Sequence, residues 1–435
     1  MFIEYINHAC ILIDTGKEKI LTDPWLDGPS WANNLWLFPK SNHVSDYFKD
    51  IDYIYISHGH EDHLHKKSIE WLPEQLKEVP IIVPDFGVDY FVKTLNKYGL
   101  KNLHFLKDNE RKNMSEFLDL KMFINESDHD SSLLISSNNT NIFLQTDNLM
   151  TNDQAKKIGE ENDIDICFTI TCQTGPFPGF YRMSEDDMRI ASKNKRDNSQ
   201  KFSLNLMKIL NPKYVIPYAS DVCYFNEDLF ANPLHKDDKE SYKKLVEDSL
   251  TETEVIVMYP HDSINIERGV VKNRSILSDN VQNNLDLHYS RLKPEADLVY
   301  HKREKDNFGD LDHYADKFYE ALNQFNHEWD DTPFNVIWEI SDGDSSRKIL
   351  HQKTGDSLKY TDDVKDHDLF IFLDLYRLKH LVNGDYAMGF LSLWNGGFKC
   401  QRKSMEYNPI EKKFWRWVRT VNLSFGYKGN DNEHS

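Results

Sequence analysis

Seven consecutive residues, Ser57-His58-Gly59-His60-Glu61-Asp62-His63, contain three histidines and two carboxylates. Imidazole and carboxylate are the side chains that hold divalent ions such as zinc, iron and manganese. His58 and His60 stand two apart, which on an extended or looping segment turns both rings the same way. Asp62 and His63 follow on the next turn and face a second position a few ångströms off. A lone histidine is usually solvated or satisfied by a neighbour. Four donors in the order H-x-H-x-D-H after an apolar strand instead predict a metal centre.

The run IDYIYIS leads straight into the cluster and reads as a strand. So do FIEYI, ACILID, KILTD, PIIVP and NIFLQT in the first third of the chain. Several end in His, Asp or Asn, which sets the candidate chemistry at strand ends, where loops carry function on a rigid scaffold. Between the strands, Ile69, Leu72 and Leu76 at helical spacing predict a helix over residues 66–77. Together these patterns predict a mixed α/β layer fold over residues 1–285.

From about Ser275 to Leu298 the sequence turns polar and Asn-rich and reads as a linker. Beyond it, Leu311, Tyr314, Phe318, Leu322, Phe325 and Trp329 share one helical face. FNVIWEI, DLFIFLDL and GFLSLW read as strands, so residues 296–425 are expected to form a smaller α+β domain. It shows no ligand cluster of its own. Phe370, Phe372, Leu391 and Trp394 read as core, and KKFWRWVRT (412–420) as an amphipathic strand or helix.

A chain of 435 residues buries a sizeable core without staples. Its five cysteines, Cys10, Cys167, Cys172, Cys223 and Cys400, form no C-x-x-C pair and read as reduced thiols of a cytoplasmic protein. The N-terminus MFIEYINHACILID carries Glu4 and Asp14 and no basic leader, so neither signal peptide nor anchor is expected. No run approaches the roughly 18 apolar residues of a membrane span. A formal charge of −19 argues against sequence-independent nucleic-acid binding. The expected partner is a small molecule, and homo-oligomerisation stays open.

The H-x-H-x-D-H order resembles the metallo-β-lactamase superfamily. The stretches LTDPWLDGPSWANNLWLFP (21–39), YISHGHEDHL (55–64), LQTDN (144–148), VIPYAS (215–220) and LVNGDYAMGFLSLW make the chain similar to the lactamase-like part of the CMP-N-acetylneuraminate hydroxylases. The resemblance implies an αββα sandwich with metals at its strand ends, held and put to catalytic use by His58, His60, Asp62, His63 and a bridging Asp147. It implies a further ligand within NESDHDSSLLI (125–135), where Glu126, Asp128, His129 and Asp130 are candidates and Glu126 or His129 is favoured. Hydrolytic members place a last His after a strand and a Pro. Here Ala219 stands in that slot, and His261 or His235 is the expected replacement. His8 is commonly near this pocket in relatives, as support or core.

Such a donor set admits two chemistries. In the hydrolytic one, zinc or manganese lowers the pKa of a bound water to about 7 for attack on a phosphoester, lactone or amide. In the oxidative one, iron held by His and carboxylate activates O2, which oxygenates a C–H or N–H bond of a small polar metabolite. The resemblance favours the second: two divalent ions, iron foremost, with O2 as co-substrate. The sialic-acid hydroxylases carry a Rieske cluster ahead of this part, which needs paired Cys and His. The cysteines here do not supply them, so an external electron donor is expected. A third reading is a non-catalytic metal- or ligand-binding protein, because Ala219 has replaced a usual ligand.

TCQTGPFPGF (171–180) follows the strand DICFTI, and as a substrate-facing loop it would let Tyr181 and Arg182 contact an acidic group. Trp25, Trp31 and Trp36 are expected either to wall the pocket or to pack beneath the second domain. RIASKNKRDNSQK (189–201) reads as the solvated face of a helix ahead of an anion-steering patch. The C-terminal part weakly resembles sterol-carrier-like modules, which would imply an apolar cavity; a lid or dimer contact fits the same pattern.

Overall fold

The computed structural model describes residues 1–39, 50–126, 129–172, 175–224, 239–267, 270–274, 290–299, 309–324, 333–352, 357–386, 388–394, 396–404 and 408–425. The strands in chain order begin with β1 (Phe2–Asn7), β2 (Cys10–Asp14), β3 (Lys19–Thr22), β4 (Leu35–Leu37), β5 (Tyr53–Tyr55), β6 (Ile81–Pro84), β7 (Leu103–Leu106) and β8 (Arg111–Ser115). There follow β9 (Leu118–Asn125), β10 (Asp130–Ser137), β11 (Thr140–Leu144), β12 (Ile166–Ile170), β13 (Tyr214–Tyr218), β14 (Val222–Tyr224), β15 (Glu254–Val255), β16 (Ser263–Glu267) and β17 (Val270–Arg274). Helices α1 (Lys66–Trp71), α2 (Glu74–Lys77), α3 (Asp89–Lys97), α4 (Asn152–Glu161), α5 (Glu185–Leu210) and α6 (Lys239–Glu247) lie between them.

An eight-stranded sheet runs β17-β16-β1-β2-β3-β5-β6-β7, and a seven-stranded one runs β15-β13-β12-β11-β10-β9-β8. Strands joined by tight turns pair antiparallel, as β1 with β2 and β10 with β11. Those joined through helices pair parallel, as β5 with β6 and β12 with β13, because a parallel pair needs a crossover. Alternation then sorts the side chains. Ile11 and Ile13 of β2 meet Leu133, Ile142 and Phe168 of the other sheet in one core. Cys10 and Leu12 turn outward to the layer of Leu72, Leu76, Phe91 and Leu95. On the far face, Leu134, Phe143 and Val215 pack on Ile158, Met207 and Val246. Each such side chain contributes about 1.5–3 kcal/mol when fully buried, and the result is the αββα sandwich expected from the sequence.

Two local expectations are revised. The helix over residues 66–77 is split into α1 and α2, because Pro73 forces Leu72 into an extended conformation with ψ 136°. The linker of residues 275–298 contains helix over its last part, since residues 290–299 form α7. The basic run 189–201 lies within α5, where Arg189 pairs with Glu185 and Lys193 with Asp197 in water. Ser184 caps that helix by accepting from the Asp187 amide, and Asn211 ends it in a left-handed turn.

The C-terminal residues build a five-stranded sheet, from β18 (Asn335–Ser341), β19 (Ser346–Gln352), β20 (Ser357–Tyr360), β21 (Leu369–Asp374) and β22 (Lys399–Arg402), in the order β20-β19-β18-β21-β22. Helices α8 (Leu311–Gln324), α9 (Leu375–Asn383) and α10 (Pro409–Phe425) complete it, with Phe318, Trp338, Ile371, Leu378 and Phe414 in a shared core. Phe325 and Trp329 lie outside the described residues. GFLSLW, expected as a strand, is a 3-10 helix over Gly389–Leu393 whose Phe390 and Leu393 both enter that core. A short apolar run does not distinguish the two by periodicity. KKFWRWVRT is helical within α10. Among the described residues no helix is long and apolar enough to cross a membrane.

Candidate metal centre

The strand ends of the two sheets converge on the heptad. His8 follows β1, Asp23 follows β3, Thr146 and Asp147 follow β11, and Ala219 follows β13. Four of these positions are left-handed without glycine: His8 at φ 43°, Asp23 at 34°, Thr146 at 53° and Ala219 at 56°. Such backbone persists only where neighbours hold it, and it gathers at functional sites.

Among the described residues three donor groups form there, each offering atoms within 4.8 Å of one another: His58, His60 and Asp130; His58, His63 and Asp147; and His8, Asp62 and His63. The separations are informative. His58 Nε2 lies 3.7 Å from Asp130 Oδ1 and 3.9 Å from Asp147 Oδ2. His63 Nε2 is 3.5 Å from Asp147 Oδ1, and His8 Nε2 is 3.4 Å from Asp62 Oδ2. These exceed an ordinary hydrogen bond. Two donors each about 2.1 Å from one ion stand roughly 3 to 3.5 Å apart, so the pairs fit shared ions with little adjustment. His63 Nε2 and Asp62 Oδ1 are buried without a hydrogen-bond partner among the described residues. Buried polar atoms are rarely left so, and a divalent ion would satisfy both.

The rings are held from behind. Asp23 Oδ1 accepts from the Ser57 amide at 2.7 Å, and its Oδ2 accepts from Ser57 Oγ at 2.7 Å and from His63 Nδ1 at 2.8 Å. Ser57 Oγ also lies 2.8 Å from His58 Nδ1. These contacts turn the Nε2 edges of both rings toward the cluster, where His63 Nε2 is unpartnered among the described residues and His58 Nε2 lies 2.8 Å from His60 Nδ1. Support from behind of this kind is what orients metal-bound imidazoles. Burial, with the nearby His63 and His60, holds the His58 pKa well below its ordinary value, so this ring is neutral and able to bind metal. His63 is also penalised by burial, but Asp147 and Asp23 prevail and raise its pKa well above the ordinary value. Burial opposes ionisation of Asp147, yet His63 brings its pKa down to about 2.

His58, His60, Asp62, His63 and Asp147, all named from the sequence, come together. Glu126 and His129 do not join them. The β9–β10 hairpin closes through the His129 amide donating to Asn125 O at 2.9 Å, with His129 left-handed at φ 56°. Glu126 is thereby exposed at the tip, and the His129 ring lies 5.6 Å from Phe86. Asp130, the first residue paired in β10, is the one beside His58. Asp128 and His235 lie outside the described residues. His261 is fixed by its amide donating to Tyr5 O at 2.7 Å and belongs to none of the three donor groups.

The expected substrate contacts are also revised. Tyr181 is buried and donates to Glu411, while the Arg182 guanidinium stacks 3.6 Å over Phe372. The loop carrying them is stitched to β22, with Arg182 N donating to Cys400 O and Cys400 N to Phe180 O, both at 2.7 Å. Trp25 does wall the cluster, its ring 5.4 Å from that of His8, and Trp31 stands 5.2 Å from His60. Trp36 packs elsewhere, with Phe38 and Leu292. Asp23 and Ser57 were not singled out from the sequence. Their signal was position alone, a polar residue at the end of a buried strand.

Residues 2–169 match the family profile described as the Beta-lactamase superfamily domain. The cytidine monophosphate-N-acetylneuraminic acid hydroxylase of Asterias rubens is 40% identical over 109 residues, 24% of this chain and 16% of that protein. The enzyme of the same name from Danio rerio is 26% identical over 253 residues, 56% of this chain and 41% of that protein. The chain thus spans less than half the length of these curated relatives. Among solved structures, the isothiocyanate hydrolase from Delia radicum gut bacteria aligns at TM-score 0.44 and 14% identity, over 61% of this chain and 99% of that one. CmlA, a diiron beta-hydroxylase from Streptomyces venezuelae, aligns at TM-score 0.41 and 14% identity, over 63% of this chain and 54% of that one. Likenesses this distant, one to a hydrolase and one to a hydroxylase, do not choose between the two chemistries. The likeness to the Beta-lactamase superfamily domain covers residues 2–169, under half of the chain.

Proposed function

We propose that the protein is an O2-dependent oxygenase with two iron ions, acting on a small polar metabolite. The observation that carries this reading is the group His58, His60 and Asp130. Two histidines and one carboxylate on one ion, with positions left over, are the donor set of non-haem iron oxygenases. The name of the relatives, hydroxylase, supports the same chemistry. Their substrate does not transfer on a match to less than half their length.

His58, His60 and Asp130 would hold one ion, and Asp62 and His63 the other. Asp147 stands between, its Oδ2 toward His58 and its Oδ1 toward His63. When bound, the two irons would supply the site for O2 reduction. Balanced hydroxylation takes R–H, O2, two electrons and two protons to R–OH and water, and the electrons come from an external donor. His8, His58, Asp62 and His63 are sealed from solvent, whereas the Asp147 side chain is 27% exposed and His60 is half-buried. The substrate therefore approaches over Asp147 and His60, with Trp31 excluding water on one flank.

The test is oxygen uptake by protein loaded anaerobically with ferrous ion and supplied with a chemical reductant. Iron-dependent uptake that Asp130→Ala abolishes is expected. No uptake, with the zinc- or manganese-loaded protein cleaving phosphodiesters or lactones, would reassign the site to hydrolysis.

A further inference from the structure

We infer that His8 is a protein ligand of the ion held by Asp62 and His63. The inference rests on the cluster binding two ions, and not on what those ions do with O2.

The backbone places His8 at a costly corner. β1 and β2 pair through Asn7 and Cys10, which leaves His8 and Ala9 as a two-residue turn. His8 is left-handed there, at φ 43°. Such turns take Gly, Asn or Asp, and an imidazole offers the turn itself nothing that those residues lack. The compensation must come from the side chain, which is 3% exposed.

Protein contacts do not provide it. Neither ring nitrogen has a hydrogen-bond partner among the described residues. The rings of Trp25 and His63 meet the imidazole edge to face at 5.4 Å, so it is aimed into the cluster and not lost in the core. Nε2 stops 3.4 Å from Asp62 Oδ2, and Asp62 Oδ1 is itself unpartnered among the described residues. An ion between His8, Asp62 and His63 would complete all three. The second half of the site then matches the first in kind, with two imidazoles, one carboxylate of its own and Asp147 shared.

The turn is also clamped. The His8 carbonyl accepts from Tyr5 Oη and from the Ala219 amide, each at 2.9 Å. The Tyr5 hydroxyl shares its one proton between that carbonyl and Asp221, which pairs with Lys239 Nζ at 2.8 Å in a buried contact. Lys239 Nζ donates onward to Met258 O at 2.9 Å. Three strand ends therefore fix the corner that carries the ring, and a pre-set ligand loses little freedom when the ion binds.

Cobalt titration of metal-free protein, followed by equilibrium dialysis and optical spectra, tests the assignment on wild type, His8→Ala and His8→Cys. Wild type is expected to bind two equivalents. His8→Ala should keep one site at wild-type affinity and weaken the other by about 100-fold or more, beyond the 10–100-fold of an indirect support. His8→Cys should regain the second ion and show a near-ultraviolet thiolate-to-cobalt band that saturates with it, which a merely structural residue would not produce. Should His8→Ala fail to fold by circular dichroism, that band decides alone. Two unweakened equivalents in His8→Ala, or a second ion in His8→Cys without the band, would overturn the assignment. Wild type binding a single ion would overturn it together with the dinuclear reading, whereas two ions with no oxygen uptake would leave His8 standing and remove only the oxygenase.

Discussion

Asp147 turns one carboxylate oxygen toward His58 and the other toward His63, so one side chain ties the two halves of the cluster together. The same contact sets a pH dependence. Burial opposes protonation of His63, but Asp147 and Asp23 prevail and hold its pKa well above the ordinary value, which favours the charged ring in the metal-free protein. A metal needs the neutral ring. Binding must therefore expel about one proton, and apparent affinity should rise about tenfold per pH unit below that pKa and level off above it. Calorimetry in buffers of different ionisation heat measures the proton, and Asp147→Asn should shrink its release at neutral pH while weakening binding. A slope of zero in wild type would contradict the charged His63. Asp130 provides a second residue-scale test, because Asp130→Ala should lose the ion of His58 and His60 while Glu126→Ala and His129→Ala keep both ions by elemental analysis. The heptad was legible because its donors are adjacent in sequence. Asp130 was one of four close candidates, and only the closure of the hairpin at Asn125 and His129 separates it from Glu126.

At the scale of elements, the strands position the chemistry through their ends. β3 delivers Asp23, which holds Ser57 at the end of the β5 segment and His63 six residues beyond it. Asp23→Asn keeps the shape but replaces one acceptor oxygen with a donor. It should lower metal affinity by about 10–100-fold with the fold retained, measured by competition with a chromogenic chelator; unchanged affinity would mean that the Asp23 contacts do not orient His63. β-branched alternation made the strands readable, and the period of two sorted their faces. What alternation does not carry is where a short apolar run bends. GFLSLW therefore read as a strand, although Gly389 at φ 55° and Gly396 at φ 96° turn the chain around a 3-10 helix. Pro73, by contrast, was visible in the sequence and does break the helix of residues 66–77.

At the scale of the molecule, the C-terminal sheet is fastened to the loops beside the metal centre. Ser392 donates to Glu61 within the heptad, and Arg377 Nη2 donates to Asn34 Oδ1 at 3.0 Å. Farther along, Glu411 accepts from Tyr181 and pairs with Arg402 at 2.6 Å, both partners under a tenth exposed. Removing one member of a buried pair costs about 3–5 kcal/mol. Glu411→Ala should lose stability on that scale in urea unfolding, and a loss below about 1 kcal/mol would show that the pair is hydrated in solution. These fastenings were illegible in the sequence because their partners lie up to 343 residues apart and share no pattern. They also explain why Tyr181 and Arg182, plausible as substrate contacts by position, serve the junction instead.

The most direct test of the central claim is elemental analysis of protein purified without added metal, with optical spectra recorded under air, after anaerobic reduction and on readmission of O2. A dinuclear iron site predicts about two irons per chain and a ferric band that bleaches on reduction and returns with O2. Stoichiometric zinc in a colourless protein, with the iron-loaded form inert to O2, would contradict it.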